Sequence, residues 1–123
     1  MDLRTTFTIP PSAEKITYHT PVVFLGSCFA TSIGRMMEIG HIPVLINPFG
    51  TVYNPVSVSN TLRAVAEGKK FSADKIYNSE GRWISFSHYT DFTSADPGRL
   101  LKKINDNIEE ANKFLSGAKF LFV

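Results

Sequence analysis

Val22-Val23-Phe24-Leu25-Gly26-Ser27-Cys28-Phe29-Ala30 is the stretch on which the reading of this chain turns. Its first four residues form an uninterrupted apolar run rich in β-branched side chains, the pattern of a strand buried on both faces. Gly26 ends the run. Phe29, Ile33, Met36 and Met37 then recur at i, i+4, i+7 and i+8, which predicts a single buried helix face, and Gly40 is placed to close that helix in the left-handed conformation. A strand, a tight turn and a helix in that order begin a parallel α/β unit.

Working outward, Pro43-Val44-Leu45-Ile46 reads as a second short strand, followed by the loop Asn47-Pro48-Phe49-Gly50-Thr51-Val52-Tyr53. Asn54 fits a helix N-cap and Pro55 the first helical position. Val58, Leu62, Val65 and Ala66 repeat a buried spacing up to Gly68. Across 70–93, Lys75-Ile76-Tyr77 and Arg82-Trp83-Ile84-Ser85-Phe86 flank Asn78-Ser79-Glu80-Gly81, which predicts an inserted β-hairpin. Pro97 opens a long helix with Leu101, Ile104, Ile108, Ala111 and Leu115 on its apolar side, ended by Ser116-Gly117. Ala118-Lys119-Phe120-Leu121-Phe122-Val123 is again an apolar strand pattern. Residues 1–20, with Pro10-Pro11 and no period, read as an arm, and residues 21–123 as one α/β domain.

The composition narrows the function classes. At 123 residues and 43% hydrophobic content the chain is the size of one domain with a real core. Its 13 basic and 11 acidic residues are dispersed and sum to +2, which gives no electrostatic footprint for nucleic acid or a membrane surface. The single cysteine, Cys28, excludes an internal disulfide and a cysteine-rich zinc cage and suits a reducing, cytoplasmic setting. No run is long enough to span a bilayer, and no motif calls for a metal or cofactor.

In a parallel α/β sheet, ligands bind beyond the carboxyl ends of the strands, so the turn after the first strand is the first place to look. A serine there has its hydroxyl in the crevice, its N–H free at a helix N-terminus and a helix dipole that favours developing negative charge. Those are the needs of an acyl-transfer nucleophile, provided a general base takes its proton. The plainer reading is that Ser27 only caps the helix that follows. Of the histidines, His19 and His41 fall at the amino edge of the sheet. His88, in Ser87-His88-Tyr89-Thr90-Asp91, reaches the crevice only if the ribbon folds over it. Cys28 is the rival nucleophile, read here as a small buried residue, and Asn54 as a helix cap that helps order the Gly50 loop. Trp83 and Phe86 read as ribbon packing.

Gly26-Ser27-Cys28-Phe29-Ala30 on a strand end, with Asn47-Pro48-Phe49-Gly50-Thr51-Val52-Tyr53-Asn54-Pro55 after the next strand, resembles the GSCFA family, itself similar to the SGNH, or GDSL-like, hydrolases. The resemblance implies a three-layer α/β/α flavodoxin-like fold with a parallel sheet, here incomplete, and ester hydrolysis through an acyl-enzyme. It makes Ser27 the nucleophile and an oxyanion N–H donor, and Gly50 a second oxyanion donor. Asn54 and His88 are the candidate substrate contacts. The partner is a small-molecule ester, with acylated carbohydrate suited to the wider clan. SGNH enzymes usually carry Asp between the block I glycine and serine, whereas here Gly26 precedes Ser27 directly. The asparagine motif and the Asp/His pair of such enzymes are expected beyond Val123, which makes this chain an N-terminal portion that is inactive alone.

The competing class is a non-catalytic module that binds a ligand or partner and uses Ser27 only as a cap. A last strand with an uncovered apolar edge also invites pairing with another copy. Light scattering at high protein concentration is expected to show self-association through that edge; a clean monomer would count against an open edge.

Overall fold

The computed structural model describes residues 3–123. In chain order its elements are β1 (Val22–Phe24), α1 (Cys28–Ile39), β2 (Val44–Ile46), α2 (Pro55–Ala66), a short 3-10 turn (Ala73–Lys75), β3 (Tyr77–Ser79), β4 (Arg82–Ile84), β5 (Thr93–Ser94), α3 (Pro97–Gly117) and β6 (Phe120–Phe122). β1 pairs in parallel with β2 on one side and β6 on the other, in the order β2-β1-β6. β3, β4 and β5 form a separate antiparallel sheet.

The central place of β1 follows from its residues. Val22, Val23, Phe24 and Leu25 are all buried, so both faces need a helix and both edges a strand. Val22, Phe24 and Ala30 form one apolar cluster, with Ile33, Met37, Val44 and Phe120 packed on it, and this is the layer between the sheet and α1. Leu45 points the other way, into a larger cluster built from Ala64 and Val65 of α2 and Leu100, Ile104, Ile108 and Ala111 of α3. The mixed α/β architecture with a parallel sheet and helices on both faces is therefore the one expected. The inserted hairpin is present as β3 and β4, joined through Glu80 and Gly81 at φ 51° and 80°. β5, unforeseen, adds a third strand to it.

Local capping chemistry sets the helix boundaries. Asn54 accepts from the Ser57 N–H at 2.8 Å, with Pro55 following at the first helical position. Asp96 does the same for α3 through the Arg99 N–H at 2.9 Å. At the end of α1 the left-handed position falls on His41, φ 61°, and not on Gly40, φ −75°. Ile42 N–H donates to Met37 at 3.0 Å and His41 N–H to Glu38 at 2.9 Å, a complete Schellman pair. Running the helix one residue further brings Ile42 and Met37 into the same apolar cluster.

Three helix faces differ from the spacing argument. On α1 the buried residues are Ala30 and Gly34, with Ile33 and Met37 half-buried, while Phe29 and Met36 are 73% and 68% exposed. A Cβ on Gly34 would stand 2.7 Å from Ile46 Cγ1, so the helix approaches β2 along its smallest side chains and the large ones turn outward. On α3 the fully buried residue is Leu100, one position before Leu101, which is only partly covered. On α2, Ala66 is exposed and Ala64 is buried instead. Among the described residues no helix is long and apolar enough to cross a membrane.

These registers are measurable. Leu100→Ala is expected to lower the unfolding free energy by about 3 kcal/mol in urea, the cost of a large cavity in a packed core. Leu101→Ala should lower it by less than half as much, and equal effects would contradict the register of α3.

Candidate active site

β1 delivers the chain into a turn that is held rather than free. Leu25 N–H still donates across the sheet to Phe122 at 2.9 Å, and Gly26 then takes φ 146°, a backbone state that side-chain-bearing residues rarely adopt. Ser27 is extended, at φ −72° and ψ −172°, and stands as the N-cap of α1. Its hydroxyl accepts from the Phe29 N–H at 3.3 Å, near the long limit of such a bond. The first i to i−4 bond of α1 runs from Thr31 N–H to the Ser27 carbonyl at 3.3 Å, so the amides before it have no helical acceptor. Ser27 is half-buried and Cys28 is exposed.

The loop after β2 closes over this turn from the side. Asn47 Oδ1 accepts from the Gly26 N–H at 2.8 Å, Asn47 Nδ2 donates to Thr31 Oγ1 at 2.9 Å, and Val52 N–H donates to the Gly26 carbonyl at 3.0 Å. The 85–92 loop docks on the same segment through Tyr89 N–H to the Phe49 carbonyl at 2.8 Å. A Cβ at position 50 would lie 2.3 Å from Tyr89 Cβ, and Gly50 itself sits at φ 84°, so both the conformation and the contact require glycine there.

A strand end, a Gly-Ser-Cys-Phe-Ala turn and a clamping Asn-Pro-Phe-Gly loop thus converge on one spot, and a sequence model of the GSCFA family matches residues 21–123. The chain belongs to the GSCFA family. No curated protein and no solved structure matches it.

Within this GSCFA chain the sequence-derived site residues fare differently. Ser27 stands at the carboxyl end of the central strand, on the rim where the fold binds ligands. The Gly50 N–H, expected to serve an oxyanion, instead donates to the Asn47 carbonyl at 2.7 Å and closes the turn. Asn54 caps α2 with its oxygen while its Nδ2 donates to Ser57 Oγ at 2.9 Å. Cys28, read from sequence as buried, is exposed because α1 presents Ala30 and Gly34 to the sheet and turns its first residues outward. Tyr53, which sequence reasoning passed over, has its hydroxyl pushed up in pKa chiefly by the neighbouring Tyr89 phenol and next by desolvation. An aromatic residue in each of the two loops was the available signal.

The histidines do not gather at Ser27. His19 and His41 are exposed at the amino end of the sheet. His88 is half-buried against the aromatic residues of the large core. Its ring stacks on Phe49 at 4.1 Å between centroids and meets Phe92 at 4.7 Å and Phe71 at 5.0 Å. Nδ1 lies 2.8 Å from Ser85 Oγ, and Nε2 is buried with no partner among the described residues. Burial pushes its pKa down to about 4. The ribbon does fold over, but it carries this imidazole into apolar packing.

The unfolded chain takes up this proton near pH 6.5 and the folded chain only near 4, so acid favours unfolding. Stability attributable to His88 is full above pH 6.5 and declines as pH falls toward 4, by up to roughly 3 kcal/mol. His88→Phe, which keeps an aromatic ring in the cluster, is expected to flatten that part of a urea-midpoint curve against pH. An unchanged acid limb in the variant would show that another group causes it.

Proposed function

We propose that this GSCFA chain carries the nucleophile of a serine ester hydrolase. The observation that supports the reading best is the station of Ser27: a half-buried residue on a strand-to-helix turn, with a long capping bond from Phe29 N–H on its hydroxyl and helix amides without a helical acceptor beside it. In the reaction Ser27 Oγ bonds to the ester carbonyl carbon as its proton passes to a base, and the carbonyl oxygen takes up negative charge. Collapse of that adduct breaks the bond to the alcohol, which leaves with a proton, and water then releases the acid and restores Ser27.

Two details depart from the pattern that the family resemblance implies. With the Gly50 amide engaged, the donors we assign to the oxyanion are the N–H groups of Ser27 and Cys28, both at the positive end of α1. With His88 in the core and His19 and His41 at the other end of the sheet, we assign the proton acceptor to a residue outside these 123, which leaves the chain close to inactive by itself.

For the substrate we propose an ester on a polyhydroxylated small molecule, an acylated carbohydrate, handled in the cytoplasm, where exposed Cys28 stays reduced. Support comes from a cleft of about 510 Å³ lined by Val52, Tyr53 and Tyr89, on the loops that pack against the turn. Asn60, Ser57 and Thr61 of α2 line it with neutral polar groups, and Phe86 adds an exposed aromatic ring. Asn54 and His88 line it as well; the Asn54 amide is taken up in capping and His88 Nδ1 by Ser85, while His88 Nε2 is turned into apolar packing, so Tyr53, Asn60 and Phe86 are the substrate contacts proposed. The second reading, a binding module in which Ser27 only caps α1, draws on the Phe29 N–H to Ser27 Oγ contact at 3.3 Å.

A fluorophosphonate probe separates the two when imidazole is supplied in solution as the base. Labelling is expected at Ser27 and absent in Ser27→Ala, and without imidazole turnover of an activated aryl ester should be slight. If the Ser27→Ala chain is labelled as fast as its parent and differs only by about 1 kcal/mol of stability, the loss of a cap, the binding module is the correct reading.

A further inference from the structure

We propose that Asn47 is a positioning residue of this site, holding the Leu25–Gly26 peptide at the base of the turn so that, with the Gly26 carbonyl held by Val52, the Ser27 hydroxyl and amide meet an incoming carbonyl already aligned. The inference rests on the reading of Ser27 as nucleophile.

Asn47 follows β2 directly and takes the left-handed conformation, φ 40°, which asparagine tolerates better than most residues. Every polar group it has is engaged. Its N–H donates to the Phe24 carbonyl at 2.9 Å and extends the β1–β2 ladder; its carbonyl accepts from Gly50 at 2.7 Å and closes the loop turn. Its side chain reaches back 21 residues to accept from Gly26 N–H at 2.8 Å, and with the other edge of the amide it donates to Thr31 Oγ1 at 2.9 Å, 16 residues back in the first turn of α1. One residue therefore joins the end of the central strand, the nucleophile turn, the helix behind that turn and the loop in front of it.

The effect on Ser27 follows from peptide geometry. The Gly26 unit is fixed from both sides: its N–H by Asn47 Oδ1, and its carbonyl by Val52 N–H at 3.0 Å. In a planar trans peptide the carbonyl and the next N–H point in opposite directions. With the Gly26 carbonyl aimed at Val52, the Ser27 N–H is turned away from that loop. Glycine alone would leave the peptides on its two sides free to rotate against each other, since its φ of 146° is one state among many open to it. The asparagine head group anchors the peptide before Gly26 and the Val52 N–H the peptide after it, so the turn between them is pinned at both ends, and fixed donors are what a developing oxyanion requires. The residue type fits the task, because the amide needs one acceptor edge for Gly26 N–H and a second polar atom for Thr31. An aspartate in the same place would accept from Gly26 N–H and from the Thr31 hydroxyl, whereas a glycine would keep the left-handed backbone and remove the head group.

The test uses the chain, Asn47→Gly, Asn47→Asp and Ser27→Ala, read by residue-resolved amide exchange and by fluorophosphonate labelling of Ser27 in imidazole. In Asn47→Gly the Gly26 amide is expected to exchange at least about tenfold faster, with the Ile104 amide unchanged. The maximal labelling rate should fall about tenfold or more, while the probe concentration giving half that rate stays put, since alignment and not probe binding is lost. Asn47→Asp should restore both readouts to within about threefold. Parental labelling in Asn47→Gly, with Ser27→Ala unlabelled, overturns the role of Asn47 and leaves the nucleophile standing. Equal labelling of Ser27→Ala and the parent overturns the nucleophile and the positioning role with it. A Gly26 amide that exchanges in the parent like an exposed loop amide overturns the clamp directly.

Discussion

β1 carries no polar side chain from Val22 to Leu25, and it is buried along its whole length. Such a segment is stable only when strands satisfy its backbone on both edges and helices cover both faces, because any other arrangement leaves apolar surface in water or amides without partners. β2 and β6 supply the edges, α1 one face and α3 with α2 the other. The turn after β1 then has no freedom of place. It must emerge at the carboxyl rim, between its two neighbours, with α1 starting immediately beyond it.

A site at that rim has two needs that conflict. The turn must be tight enough to reverse from strand to helix, which calls for glycine at position 26, and rigid enough to aim the following residue. Here rigidity comes from outside the turn, through the Asn47 side chain and the Val52 N–H, with the 85–92 loop packed against the same segment by way of Tyr89. The loop after β2 is therefore part of the site even though its glycine amide is used internally. The antiparallel ribbon contributes indirectly: it brings His88 and Phe92 against Phe49 and Phe71 and so gives the loop a firm base.

The largest divergence between pattern and packing concerns histidine. His88 belongs to a polar stretch, Ser87 to Asp91, and pattern alone makes it a loop residue open to solvent or to the crevice. Three phenylalanines that are distant in sequence enclose it, and the resulting desolvation leaves the imidazole neutral across the physiological range. An imidazole held neutral in a core supports packing.

Sequence alone fixed the elements whose signals are local or nearly so. The apolar run of β1, the Asn54-Pro55 start of α2, the Pro97 start and Ser116-Gly117 end of α3 and the turn ahead of Ser27 were legible because short-range sterics and capping determine them. The faces of the helices were legible only to within a residue. On α1 the choice between Phe29 and Ala30 depended on how closely the helix approaches Ile46, and on α3 the choice between Leu100 and Leu101 on the direction of the core. The Asn47 clamp, the engagement of the Gly50 amide and the burial of His88 were decided by tertiary structure. Each joins residues far apart along the chain, and hydrogen-bond partners or desolvation at such separations leave no periodic trace in the order of amino acids.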